Sequence, residues 1–226
     1  SVQIARLEAD SHDIIRLDVG SPDLPPSPEI IEVLCDSASQ SGTHGYQSYN
    51  GTAALREAWA EMYQRVFSVD LDPNTEIVNL LGSKEGIFHM LQAMIDPKDI
   101  VLTPDPGYPT YERGTVFAGG EPYYLPLTAI HGFKPDFKSI PTEVADRAKI
   151  IWLNYPNNPT GATVGIDFLT QAVEFARKNN LLLCHDAAYT QVSFDDYKAP
   201  SVLQVPGALD VAIEFNSLSK SHNMAG

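Results

Sequence analysis

Short apolar runs separated by helical patterns give the chain its rhythm. Ile77 to Leu81, Ile100 to Thr103, Lys149 to Asn154, Leu181 to His185 and Val211 to Phe215 are β-branched or leucine-rich and are bounded by Gly, Pro, Asp or Asn, so each predicts a buried strand. Helices fit between them. Ser83 to Ile95 gathers Ile87, Met90, Leu91 and Met94 on one face, and Phe168 to Lys178 gathers Leu169, Ala172, Val173 and Ala176. This alternation predicts an α/β fold with a mostly parallel sheet and helices on both of its faces. The first 45 residues differ: they are rich in Pro and Gly (GSPDLPPSP), with one helix expected over Pro28 to Ser39 before the loop SGTHGYQSYNG. Residues 1–45 therefore read as an arm and part of a small domain, and 46–226 as the main domain, entered through a helix over Ala53 to Val66.

Composition narrows the function. Of 226 residues, 43% are hydrophobic and 19% charged, enough apolar material for a sizeable core. No apolar run nears the roughly 18 residues of a membrane-crossing helix. The N-terminal stretch lacks a signal peptide's layout, so the expected location is the cytoplasm. The net charge of −14 repels phosphate backbones and anionic lipid, which argues against nucleic acid and membrane partners. Cys35 and Cys184 lie far apart with no CxxC pair, so neither a disulfide framework nor a metal site is expected.

Four polar clusters stand at predicted strand ends, where open α/β sheets bind ligands. In LLGSKEG, Gly82 permits a tight turn, and Ser83, Lys84 and the free amides of a helix start would suit a phosphate; the structural alternative is a serine N-cap. Neither a Walker loop nor a dinucleotide GxGxxG is present. LNYPNNPTG forms a rigid turn in which Asn158 could bond a ligand oxygen, or serve the turn alone. In LLLCHDAAYT, Asp186 follows a strongly apolar strand, a costly place for a carboxylate without a partner, unless it caps a helix; Tyr189 follows three residues later. In EFNSLSKSHNMAG, Lys220 sits among Ser217, Ser219 and Ser221, where a desolvated amine could attack a carbonyl, although most lysines are plain surface charges.

In this order the clusters resemble the class I/II aminotransferases, pyridoxal-phosphate enzymes of fold type I. SLSKSHNMAG resembles their cofactor-attachment motif, and NYPNNPTG and DAAY resemble two motifs before it. The likeness runs from LDVGSPDLPP through HGYQSYNGTAALREA to the last residue. GSKEGI, DPGYPTY and FAGGEPYYLPL are closest in wording to the LL-diaminopimelate aminotransferase group. The resemblance implies that Lys220 holds the cofactor aldehyde as a Schiff base and later moves the substrate α-proton, and that Asp186 pairs with the pyridine nitrogen. It further implies that Asn158 and Tyr189 bond the phenolic oxygen, that Tyr108 stacks on the ring, and that Gly82, Ser83, Lys84, Ser217 and Ser219 surround the phosphate. Tyr46 would reach the phosphate of a neighbouring subunit, making a homodimer with shared sites. Gly20, with Asn158 and Tyr108, would border the substrate, an amino acid exchanging its amino group with a 2-oxo acid by a ping-pong route.

Two arginines of the family pattern, one just after the lysine motif and one clamping the substrate carboxylate, have no counterpart before Gly226. The expectation is therefore the N-terminal part of a longer enzyme, cut inside its large domain. The same motifs serve fold-type I relatives that run lyase or synthase chemistry, and aminotransferase-like domains of regulators. A regulator would add a basic DNA-binding region, which the N-terminal residues do not show.

Overall fold

The computed structural model describes residues 2–10, 12–15 and 20–225; Leu17, Asp18 and Val19 of the LDVG stretch and Gly226 of the final motif lie outside the described residues. Helices α1 (Val2–Ala9) and α2 (Pro28–Ser39) bury no residue, and α3 (Ala53–Phe67) leads into the main domain. Then α4 (Ser83–Met94), β1 (Ile100–Asp105), α5 (Pro109–Phe117), β2 (Glu121–Pro126), α6 (Thr142–Ala145), β3 (Ala148–Asn154), α7 (Ile166–Lys178), β4 (Leu182–Asp186), β5 (Ala212–Phe215) and α8 (Leu218–Ser221) follow. The five strands form one sheet in the order β2-β1-β3-β4-β5, and every neighbouring pair is parallel. All strands thus end on the same side of the domain.

Side chains alternate across the sheet and explain why the apolar runs were nearly continuous. Leu102, Ile151, Leu153 and Leu183 pack with Leu169, Ala172, Val173 and Ala176 of α7 on one face. Val101, Ile150, Trp152, Cys184 and Phe215 pack with Ile87 and Leu91 of α4 and Tyr111 of α5 on the other. A third cluster of Met62, Tyr63, Phe67 and Val69 seats α3 beside this core. Burying a leucine-sized side chain on either face contributes about 1.5–3 kcal/mol, so the two apolar faces fix both layers of helices.

The expected strand over Ile77 to Leu81 does not form. The segment is irregular, with Val78 65% and Leu81 95% exposed. A strand exists only through its ladder, and among the described residues the one backbone bond recorded here runs from Asn79 N to Asn50 O, 3.3 Å. Conversely, β2 and α5 went unpredicted. Pro122 and Pro126 punctuate EPYYLP, but β2 is an edge strand, where missing donors face outward.

Candidate active site

Because the strands are parallel, their C-terminal ends bring together residues distant in sequence. Asp186 closes β4 and is only 6% exposed. Its Oδ2 accepts a hydrogen bond of 2.7 Å from the Tyr111 hydroxyl, while Oδ1 is buried without a partner among the described residues. Burial pushes this carboxyl above the usual carboxylate range, against the opposing pull of the Tyr111 hydroxyl, the Ala188 amide and the His185 ring. Tyr111 is itself completely buried and stacks on Trp152 with ring centroids 4.8 Å apart. Asp186 is therefore not a helix cap. It is a carboxylate held rigidly with one oxygen left for a donor from elsewhere.

The loop after β3 is built by asparagine side chains. Asn154 donates from Nδ2 to the Asp186 carbonyl oxygen (2.8 Å) and accepts from the Asn158 amide (2.7 Å). Asn157 donates to the Asn154 carbonyl (3.1 Å) and accepts from the Thr160 hydroxyl (2.7 Å). The turn thus needs Asn154 and Asn157, and leaves the Asn158 side chain free to line a cleft with Tyr189. Burial, then the Asp186 charge, push the Tyr189 hydroxyl above its ordinary value.

The start of α4 corrects the capping expectation. Gly82, not Ser83, is the N-cap, at φ 95, a left-handed value that favours glycine, and a Cβ there would meet nothing within 4 Å. Ser83 is the first helical residue, so its hydroxyl is not consumed as a cap. Glu85 instead accepts from the Leu81 amide at 2.6 Å. Lys84 places Nζ 5.6 Å from the Tyr108 ring centroid, joining the phosphate-like corner to the loop after β1.

After β5, the Ser217 hydroxyl caps α8 by accepting from the Ser219 amide (3.1 Å). Lys220 Nζ donates to the Gly20 carbonyl at 2.8 Å and lies 5.9 Å from the Tyr189 ring centroid. Of the residues singled out from sequence, Gly20, Tyr108, Asn158, Asp186, Tyr189 and Lys220, with the start of α4, face this one region. Tyr46 does not join it and is fully exposed. Sequence reading passed over Tyr111 and Asn154. Tyr111 follows Tyr108 by one helical turn, and that spacing was the available signal.

A parallel sheet with a lysine, a buried acid and a helix N-terminus at its strand ends defines a cofactor-binding α/β enzyme domain. The chain belongs to the aminotransferase class I and II family, whose model matches residues 12–226. It is 51% identical over 224 residues to an LL-diaminopimelate aminotransferase from Moorella thermoacetica, covering 99% of this chain and 57% of that protein. An LL-diaminopimelate aminotransferase from Aquifex aeolicus is 50% identical over 214 residues, covering 95% and 55%. Among solved structures, substrate-bound BacF from Bacillus subtilis superimposes with a TM-score of 0.94 at 40% identity, covering 100% of this chain and 57% of that one. A probable N-succinyldiaminopimelate aminotransferase from Thermus thermophilus gives 0.91 at 35% identity, covering 100% and 62%. The chain thus spans little more than half the length of these relatives.

Pyridoxal phosphate is the cofactor of this family. The residues present fit it. The unpartnered Asp186 Oδ1 suits a protonated ring nitrogen, and the open space at Gly82 beside Ser83 and Lys84 suits a phosphate. Among the described residues, no helix is long and apolar enough to cross a membrane.

Proposed function

We propose that the full-length protein carrying this sequence is a pyridoxal-phosphate-dependent aminotransferase that moves an amino group between LL-diaminopimelate and a 2-oxo acid. The observation that carries the cofactor chemistry is Asp186, buried, braced by Tyr111 and left with one free oxygen beside the lysine loop. The names of relatives about 50% identical support the substrate.

When bound, the cofactor supplies an aldehyde to take the amino group and a ring to accept electrons from the substrate α-carbon. Around it, Asp186 keeps the ring nitrogen protonated by offering an anion in a dry site. Asn158 and Tyr189 hold the phenolic oxygen, and Tyr108 covers one ring face. Gly82, Ser83, Lys84, Ser217 and Ser219 hold the phosphate. Lys220 Nζ retains the cofactor before substrate arrives, then carries the proton from the substrate α-carbon. Gly20, whose carbonyl touches that amine, borders the substrate. Residues 1–45 form an arm and part of a small domain, consistent with two helices that bury nothing. Residues 46–226 form the cofactor domain, and two copies pair as a cytoplasmic homodimer sharing sites through Tyr46.

The test is an assay of the purified full-length protein with LL-diaminopimelate, aspartate, alanine or an aromatic amino acid as donor to 2-oxoglutarate. Turnover with LL-diaminopimelate at least about tenfold more efficient than with the others supports the substrate. Equal or better use of another donor reassigns it, and activity surviving Lys220→Ala refutes the lysine's role.

A further inference from the structure

A second buried carboxylate, Glu214 on β5, lies on the sheet face opposite Asp186. In the β4–β5 register His185 faces Glu214 and Asp186 faces Phe215, so the two acids point to opposite sides. Glu214 and His185 side chains are both completely buried, with Nδ1 to Oε2 at 2.8 Å. The carboxylate also accepts from the Tyr63 hydroxyl (2.8 Å), the Ser201 hydroxyl (2.9 Å) and the Val202 amide (2.9 Å). Four donors saturate one carboxylate. Burial alone would raise the Glu214 carboxyl, but the His185, Tyr63 and Val202 donors outweigh it and hold the group below its ordinary value.

Among the described residues the imidazole has one partner. Nε2 is buried with none among the described residues, and because a carboxylate oxygen only accepts, the proton of the 2.8 Å bond sits on Nδ1.

The pair's place in the chain gives it a use. His185 immediately precedes Asp186, and Glu214 stands three residues before Ser217 and six before Lys220. The bond therefore clamps together the two adjacent strand ends that carry the ring-nitrogen acid and the lysine loop. Tyr63 of α3 and the Ser201–Val202 turn brace the clamp from behind. We propose that His185 and Glu214 are positioning residues that set the spacing between Asp186 and Lys220, an inference that rests on the cofactor reading of those two. An apolar pair of similar volume would fill the same space but would leave the β4–β5 backbone ladder without this directional side-chain bond, since dispersion contacts lack the directionality of a charged hydrogen bond.

The test uses the full-length protein in four forms: wild type, His185→Leu, His185→Asn and Lys220→Ala. Asparagine can offer an N–H where Nδ1 stands, and leucine cannot. Three readouts are taken: the dissociation constant of pyridoxal phosphate, the pH midpoint of the bound cofactor's visible absorption band, and the melting temperature of the apoprotein. The band midpoint responds to where the acid and the tyrosine stand, which a general loss of stability leaves alone.

We expect His185→Leu to bind cofactor about tenfold more weakly. Its band midpoint should move by about half a pH unit or more, and His185→Asn should restore both. A lowered melting temperature with affinity and midpoint unchanged would overturn the proposal and leave a purely structural pair. A folded His185→Asn that restores neither would overturn it too. If His185→Leu does not fold, Tyr63→Phe removes a different donor from Glu214, and an unmoved midpoint there counts against the clamp. Loss of the band in Lys220→Ala shows that the cofactor reading stands independently, and its persistence refutes that reading together with this one.

Discussion

At the residue scale the site turns on one unsatisfied oxygen. A buried carboxylate without a full set of partners is costly, and the Tyr111 bond is what makes the Asp186 position tolerable. Replacing Asp186 by Ala should slow turnover by about 10²–10³-fold while the phosphate corner still retains cofactor, because the lost contribution is to charge developing in the ring. Near-normal turnover in that variant would refute the assignment.

A pH dependence follows with a definite sign. The folded Asp186 carboxyl lies above its ordinary value of 3.8, chiefly through burial, so the folded state holds this proton more tightly than the unfolded chain. Its contribution to apoprotein stability therefore falls as pH climbs from that value through the raised one. A protonated ring nitrogen opposite Oδ1 removes the penalty. The rise in melting temperature on adding pyridoxal phosphate should grow as pH climbs above the ordinary carboxylate value in wild type and be flatter in Asp186→Asn. Equal slopes in the two would show that the acid does not meet the ring.

Asp186 and Lys220 were legible because each follows an apolar strand, where a charged residue is conspicuous. Tyr111 was not, since a tyrosine on a helix beside other aromatics looks like core, and it is core as well as hydrogen-bond donor. The pairing of His185 with Glu214 was hidden for a different reason: it depends on strand register, which local pattern does not carry.

At the scale of elements, the parallel sheet was readable from four of five apolar runs, and its order was not. Ile77 to Leu81 shows why. Hydrophobicity marks a segment that wants a neighbour, but only pairing makes a strand, and β2, at an edge of the sheet, shows the converse. The turn from β1 into α5 gives a prediction at this scale. A Cβ on Gly107 would collide with the Pro104 carbonyl oxygen, a backbone atom that cannot swing aside. Gly107→Ala should therefore cost about 1–3 kcal/mol of stability and displace Tyr108, weakening cofactor binding as well. Gly165→Ala is the control, because a Cβ there meets nothing within 4 Å. Denaturant midpoints and cofactor titration for both variants check this, and a Gly107→Ala protein indistinguishable from the control would show that the turn is not sterically set.

At the scale of the whole molecule, a net charge of −14 leaves few cations, and Lys84 and Lys220 stand at the proposed site. Tyr46 is the one proposed cofactor residue that lies fully in solvent, away from its own chain's site. An aromatic ring so placed contributes nothing to its own fold, so changing it should leave the subunit's stability intact. If it serves the partner's phosphate, each site draws Lys220 from one subunit and Tyr46 from the other. Tyr46→Ala and Lys220→Ala homodimers would then each fail at both sites. A hybrid of the two has one site missing both residues and one site with both intact. Random reassortment of equal amounts makes half the dimers hybrid, so activity should recover to about a quarter of wild type after dissociation and mixing. Recovery requires subunit exchange, and cross-linking the dimers before mixing should abolish it. If mixing restores nothing although hybrids form, the sites are not shared and Tyr46 has no part in the partner's phosphate.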